Sequence, residues 1–395
     1  MGLTHIPDTN LIRIDFVFLG AQWLQTHALQ ARLAFSQLKE GTQQYSSETL
    51  ARRLDYYGAT LSTSCNLSYS AVTIHCLHRH LPSVIPYIAS MFAEPLYPDA
   101  QLQIALSQGR TAWQIQHQKV DALCKEELYR QLFGTQHPMG RFPTLADYAT
   151  ITPQHLHDYH ARCISPAFMV PLVTGCFDDA DLLLIERLFG VRPGTQPSTF
   201  AFEPKPIRTS DERHAHIHTG EEERLQAGVR FGRLLPPATH PDMPLLRLAV
   251  MVLGGYFGSR LMTEIRERQG LTYGINATVY NIPNDNALVI ATETATQHVE
   301  RLQRQVLAEL QRLCDELVPE DELQMVKQYL YGQNCRRYEH NFNYPQVLMS
   351  LLATGRSVED LDREQQLQLQ ATPEQLLDIC QHYFRPEDFM SCVVD

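Results

Sequence analysis

Thr152-Pro153-Gln154-His155-Leu156-His157-Asp158 and, 220 residues later, Thr372-Pro373-Glu374-Gln375-Leu376-Leu377-Asp378 are two copies of one local signal, and they decide the fold. In each, threonine reads as a helix N-cap and proline takes the first helical position, where a missing N–H costs nothing. Pro166 and Pro386 follow at the same offset, each just ahead of an apolar, strand-like run, 168–174 and 389–394. A second pair matches at an offset of 221: Pro98-Asp99-x-x-Leu102-Gln103 and Pro319-Glu320-x-x-Leu323-Gln324, acids opening a helix at its positive end. A looser third match sets Gly58, a strand at 71–76 and an amphipathic helix at 81–92 beside Gly270, 287–292 and 299–310.

The order of these signals is the same in both halves. The chain therefore reads as an internal duplication of an α+β plan, each copy a mostly antiparallel sheet covered by helices. We expect a first repeat over 1–195, a linker over 196–212, where Pro197, Pro204 and Pro206 stand among polar residues, and a second repeat over 213–395.

With 395 residues the chain exceeds a usual single domain, and 44% hydrophobic with 19% charged residues is a globular composition. Lys+Arg 33 against Asp+Glu 44 leaves a formal charge of −11, which repels phosphate backbones and anionic lipid. We expect no nucleic-acid and no membrane partner. No apolar run is long enough to span a bilayer, and residues 1–13 lack a signal-peptide pattern, so a cytoplasmic location is expected. Nine cysteines with no Cys-x-x-Cys pair read as reduced, mostly buried thiols.

Four groups of residues are candidates for chemistry. In Arg260-Leu261 with Ile265-Arg266-Glu267-Arg268-Gln269-Gly270-Leu271-Thr272-Tyr273, a basic helix ends at glycine and a tyrosine emerges onto the next strand. Guanidinium and phenol are both donors to a peptide carbonyl or a developing oxyanion. A solvated arginine and a half-buried tyrosine explain the same residues without function. We expect a locally basic surface at Arg260, Arg266 and Arg268.

His214-Ala215-His216-Ile217-His218 places three imidazoles on one face of a strand, a geometry open to a metal. No carboxylate or cysteine stands beside it at ligand spacing, so an exposed edge strand is the plainer reading. His75, His78 and His80, and His155, His157 and His160, lack the spacing of a zinc helix and read as structural. Nucleophilic and phosphate motifs are absent, and we assign Gly254-Gly255-Tyr256-Phe257-Gly258-Ser259 to backbone packing.

Taken together, Leu253-Gly254-Gly255 with Ser259-Arg260-Leu261, and 266–273, resemble the second-domain signature of the pitrilysin/insulinase-like metallopeptidases. That family includes insulin-degrading enzyme, the mitochondrial processing peptidase and paired bacterial peptidase subunits. Also similar are Glu40-Gly41-Thr42, Tyr57-Gly58-Ala59, Phe133-Gly134 with His137-Pro138, and Thr152-Pro153 to His160. The resemblance runs over nearly the whole chain and implies a metallopeptidase-like fold of two tandem domains, as the repeats do.

Active members carry His-x-x-Glu-His, two zinc ligands and a general base, with a further glutamate downstream. Counted from Gly41-Thr42, that motif falls here on Arg32, Phe35 and Ser36, and no acid lies between Asp99 and Asp121 to serve as the third ligand. Arg336-Arg337-Tyr338-Glu339-His340, the nearest approach elsewhere, lacks its first ligand. No metal and no catalytic residue is therefore expected in this chain. Arg266 and Tyr273, by contrast, fall on the family's substrate-contacting arginine and tyrosine.

The resemblance implies a zinc-less, noncatalytic subunit that pairs with a zinc-bearing sister and lends it a substrate-binding pair for cleaving short or unfolded peptides. Two bowl-like subunits would close around a chamber, and peptide would add as a strand to a sheet edge. The continuous run Leu253 to Ser259 lacks the long glycine-rich loop of a presequence receptor. The alternatives are a self-associating (homodimeric) pseudoenzyme or structural scaffold, and hydrolysis at a metal site on the His214, His216 and His218 strand.

Overall fold

The computed structural model describes residues 2–194, 201–220, 225–339 and 341–395, without the side chains of 337–339 and 341. Residues 196–200 of the expected linker, Thr195 at the end of the expected first repeat, and His340 lie outside the described residues. Ten strands are present: β1 (Leu3–His5), β2 (Leu11–Leu19), β3 (Thr60–Cys65), β4 (Tyr69–Leu77), β5 (Met169–Gly175), β6 (His214–Ile217), β7 (Gln226–Leu235), β8 (Ile275–Ile282), β9 (Asp285–Ala295) and β10 (Met390–Val394).

They form two five-stranded sheets, ordered β1-β5-β2-β4-β3 and β6-β10-β7-β9-β8. Adding five to each label of the first order gives the second, so the duplication read from the sequence is a duplication of topology. Within each sheet one edge pair is parallel, β1 with β5 and β6 with β10, and the remaining pairs are antiparallel. The α+β plan of two mostly antiparallel sheets covered by helices is thus the observed one.

The local signals explain where elements start. The helix Pro153–Cys163 opens with Thr152 N–H donating to His155 Nδ1 at 3.1 Å. Its counterpart Pro373–Tyr383 opens with Thr372 N–H donating to Gln375 Oε1 at 3.0 Å and Gln375 N–H donating back to Thr372 Oγ1 at 3.3 Å. Each reciprocal cap satisfies donors that a helix start leaves free. Asp99–Gln116 and Glu320–Glu339 begin on the acids of the second match. Gly58 and Gly270 occupy the same left-handed region, at φ +60° and +62°.

Contacts divide the chain into two compact units, 1–112 with 143–203 and 336–353, and 113–142 with 204–335 and 354–395. Compactness and sequence repeat are therefore different partitions, since each half contributes one helical segment to the other unit. In the first unit, Phe16 and Phe18 of β2 meet Phe35, Phe92 and Phe189 from three covering helices, with ring centroids 4.4 to 5.3 Å apart.

In the second unit, β7 is covered on both faces. Ala227, Val229 and Phe231 join the main core with Leu302, Val306, Leu376 and Cys380. Gly228 and Gly232 face the helix Val120–Phe133, where added Cβ atoms would stand 2.9 Å from the Val120 carbonyl oxygen and 2.7 Å from Leu132 Cδ1. Between them, Arg230 Nη2 donates to Asp121 Oδ1 at 2.5 Å. Leaving off two side chains is what lets that helix seat against the strand.

All nine cysteines are free, and Cys76, Cys124, Cys163, Cys314, Cys380 and Cys392 are buried. Burial pushes the Cys76 and Cys314 thiols up to about 11 and Cys380 up to about 12, so these are packing groups rather than nucleophiles. No described helix is long and apolar enough to cross a membrane.

Candidate functional site

Arg266 and Tyr273 belong to the second unit. Arg266 lies on the wide-pitched helical segment Met262–Arg268, and its guanidinium carbon sits 4.7 Å from the centroid of the Phe257 ring. Tyr273 is 95% exposed and Phe257 62% exposed, unusual values for aromatic side chains. Beside them runs a groove of about 370 Å³ lined by Gly254, Gly255, Tyr256, Met262, Ile275 and Asn276. Ile275 and Asn276 begin β8, the last strand of its sheet, which pairs among the described residues with β9, and Ile275 N–H donates to Met262 Sδ at 3.4 Å. The groove therefore lies beside the start of an edge strand.

The exposure of Tyr273 is built in, because threonine hydroxyls fasten the loop beneath it. Thr292 Oγ1 donates to the Gly274 carbonyl at 2.8 Å, Thr294 Oγ1 to the Leu271 carbonyl at 2.6 Å, and Thr272 Oγ1 to the Glu293 carbonyl at 2.6 Å. Thr272 Oγ1 in turn accepts from Gly274 N–H at 3.1 Å. Thr292 and Thr294 alternate along β9, so both hydroxyls point from one face at the loop. Gly254 forms the floor where a Cβ would come within 2.8 Å of Ala277, which agrees with the backbone-packing role read for this turn.

The expected basic surface is smaller than three arginines. Arg260 is buried and forks onto Glu322, Nε and Nη2 each donating at 2.9 Å, and Arg268 Nη1 donates to Glu264 Oε2 at 2.9 Å. Both charges are compensated, Arg260 by a glutamate of the helix Glu320–Glu339 and Arg268 by Glu264 one turn back on its own segment. Arg266, by contrast, is held against the Phe257 ring.

In the first unit, Arg32, Phe35 and Ser36 fall on the short helix Gln30–Ser36. Arg32 is exposed, Phe35 is 1% exposed and packs on Phe18, and Ser36 Oγ donates to the Leu33 carbonyl at 3.2 Å. A cation, a core aromatic ring and a hydroxyl turned to its own backbone do not make a zinc site. The acids beyond the ligand-free window are engaged in the second unit, Asp121 with Arg230, and Glu126 with His117 and Arg130 at 2.9 and 2.8 Å.

The structural histidines have structural partners. His78 Nε2 lies 2.6 Å from Asp181 Oδ2, His155 closes a helix cap, His160 Nε2 lies 2.8 Å from the Phe92 carbonyl, and His157 meets the Tyr97 ring edge-on. Burial, reinforced by Arg13, lowers the His75 pKa. His214 and His216 lie on the edge strand β6, as expected. The expectation that no carboxylate stands beside that strand is corrected: Asp395, which follows β10, lies within 2.8 Å of His216 and 2.5 Å of His218. Parallel pairing of β6 with β10 brings together residues at least 177 apart in sequence, which no local spacing reveals.

Phe257, Thr292 and Thr294 went unread in the sequence. Two threonines at alternate positions of a strand were the available signal for the last two.

Residues 150–330 match the family described as the peptidase M16 inactive domain. A Bacillus subtilis protein described as the uncharacterized zinc protease YmxG is 22% identical over 74% of this chain and 70% of its own length. A Helicobacter pylori protein described as the non-peptidase homolog YmxG is 23% identical over 85% of this chain and 77% of its own. Among solved structures, a peptidase M16 inactive domain from Pseudomonas fluorescens superposes with a TM-score of 0.87 at 19% identity, covering 99% of this chain and 94% of that one. A structure described as a protease from Helicobacter pylori gives 0.84 at 14% identity, covering 100% and 96%. These structures share the fold of this chain, and the pitrilysin-like resemblance read from its motifs is borne out. Residues 150–330 of the chain thus match the peptidase M16 inactive domain, and its sequence has no His-x-x-Glu-His string.

Proposed function

We propose that this chain is the zinc-less subunit of a two-chain zinc peptidase, and that it supplies Arg266 and Tyr273 to a peptide held at its partner's metal centre. The observation that carries this reading is the fastened, outward-facing Tyr273 beside the Arg266–Phe257 stack, at a groove beside the start of the edge strand β8. An extended peptide laid along that edge gains backbone hydrogen bonds without a side-chain code. Arg266 donates to a peptide carbonyl through its fork, and the Tyr273 phenol donates a second hydrogen bond where negative charge develops on the attacked carbonyl oxygen. Zinc and the general base belong to the partner, because Arg32, Phe35 and Ser36 provide neither.

The test is to purify this chain with a zinc-bearing sister chain and follow cleavage of a quenched peptide. Activity is expected only from the mixture, with Arg266→Ala lowering kcat/KM about 100-fold, the usual loss for one oxyanion donor, and Tyr273→Phe about tenfold. Full activity from the sister alone, unchanged on adding this chain, would leave a scaffold or a self-associating pseudoenzyme as the better reading.

A further inference from the structure

We propose that His216, His218 and Asp395 form a binding site for one divalent first-row transition-metal ion, with zinc as the ion best suited to it. His216 stands on β6 and His218 directly follows it, and their rings lie 4.3 Å apart. β10 runs parallel to β6, with Val393 opposite His216 and Val394 opposite Ile217. The next residue, Asp395, is therefore delivered to the same place.

Its backbone is fixed on both sides: Asp395 N–H donates to the Ile217 carbonyl at 3.1 Å, and Thr219 N–H and Oγ1 donate to the Asp395 carbonyl at 2.8 and 3.0 Å. The carboxylate then presents one oxygen to each ring, Oδ2 to His216 Nε2 at 2.8 Å and Oδ1 to His218 Nδ1 at 2.5 Å. One donor atom from each of the three residues lies within 4.8 Å of the others.

Two imidazole nitrogens and a carboxylate are the donor set that zinc, nickel and copper ions favour. A metal takes each ring through the nitrogen that faces the carboxylate, the ring's proton then residing on its other nitrogen, and sets a +2 ion against one negative charge. The rings are accessible, His216 48% and His218 74% exposed at the side chain, while the carboxylate is only 11% exposed and so is already stripped of most water. His214 does not add a third nitrogen, because its Nδ1 lies 2.8 Å from Ser391 Oγ. The remaining coordination positions are left to water.

The other convergent cluster, His78 with Asp178 and Asp181, has helix duties. Asp178 Oδ1 accepts from Asp181 N–H at 3.0 Å, and Asp181 Oδ2 accepts from Asp178 N–H at 2.9 Å. The Asp395 carboxylate instead meets the two rings, with one oxygen for each. Without a metal, exposed histidine contacts of this kind add little to stability. Bound metal instead ties the four-residue edge strand β6 to the end of β10. The site is independent of the peptide-binding reading above.

The full chain, stripped with chelator and dialysed, is titrated with zinc chloride by calorimetry and unfolded thermally with and without zinc, with cobalt as a spectroscopic substitute. We expect one equivalent bound, a rise in Tm by linkage, and cobalt d–d bands of nitrogen and oxygen coordination. His218→Gln and Asp395→Asn should each weaken zinc at least about 100-fold, the upper cost of losing even an outer partner, and abolish the Tm rise. Apo circular dichroism verifies the folding of both variants. His214→Ala should bind zinc like the parent chain. Absence of binding, or binding and a Tm rise that survive His218→Gln, would overturn the site.

Discussion

The guanidinium carbon of Arg266 lies 4.7 Å from the centre of the Phe257 ring, and this contact fixes a long side chain that would otherwise sample many rotamers at the surface. A cation over an exposed ring gains about 0.5–1 kcal/mol, enough to favour one orientation of the guanidinium by a few-fold. Phe257→Leu removes the ring while leaving a side chain of similar bulk. In the reconstituted complex it should lower kcat/KM about 2- to 5-fold, with Tm almost unchanged because Phe257 is 62% exposed. Unaltered kinetics would show that Phe257 does not position Arg266.

Arg260 behaves differently from Arg266 although both fall in one basic run. Its side chain is 9% exposed and its fork is occupied by Glu322. Glu322→Ala should therefore destabilise by about 3 kcal/mol, the cost of stranding a buried charge rather than the net value of the pair. A double replacement, Arg260→Met with Glu322→Leu, should recover most of that loss. Urea unfolding of the three proteins decides it, and a Glu322→Ala midpoint equal to that of the parent would show the pair to be solvated.

How far the molecule could be read in advance depended on how local its signals are. Thr152 and Thr372 cap helices through contacts three residues away, so their pairing was legible, and with it the duplicated topology. Phe35 was legible as the lost general-base position because the motif is a short string. Asp395 beside His216 was not, because a parallel strand pair carries no local trace of which chain ends it joins. Nor was the fork of Arg260 onto Glu322, 62 residues away, or the seating of Val120–Phe133 on Gly228 and Gly232. A single glycine pattern on a strand names a close approach without naming what approaches.

His137 gives the second unit an acid-sensitive element. The ring is fully buried, stacked 4.9 Å from Phe133, and its Nδ1 accepts from Met139 N–H at 3.1 Å. Burial, and then the charge of Lys205, lowers its pKa to about 4. The unfolded chain takes up the proton near pH 6.5, while the folded chain resists until about 4. Stability is thus fully present above about 6.5 and lost as pH falls through that interval, by up to about 3 kcal/mol. His137→Gln retains an acceptor and cannot titrate. Its unfolding free energy should fall less than that of the parent between pH 7 and 4, and parallel profiles would assign the acid loss to other groups.

Phe35 decides whether the missing general base is a simple deletion or a repacked core. Its ring is 1% exposed, 5.3 Å from Phe18 and 6.3 Å from Tyr159, on the helix that places Arg32 outward and turns Ser36 onto its own backbone. Converting the three positions to the family's string with Arg32→His, Phe35→Glu and Ser36→His should therefore give no zinc peptidase. Removing a buried phenylalanine costs about 3–5 kcal/mol, and a carboxylate left among aromatic rings adds its own desolvation. Phe35→Glu alone should lower Tm by several degrees and unfold further as pH rises, since deprotonating a buried carboxyl favours the unfolded state. Phe35→Leu, which preserves an apolar filling, should lose much less. If the triple variant folds with the stability of the parent and binds zinc tightly, the first unit has kept a metal-competent frame, and the loss of ligands is then more recent than the packing around Phe35 implies.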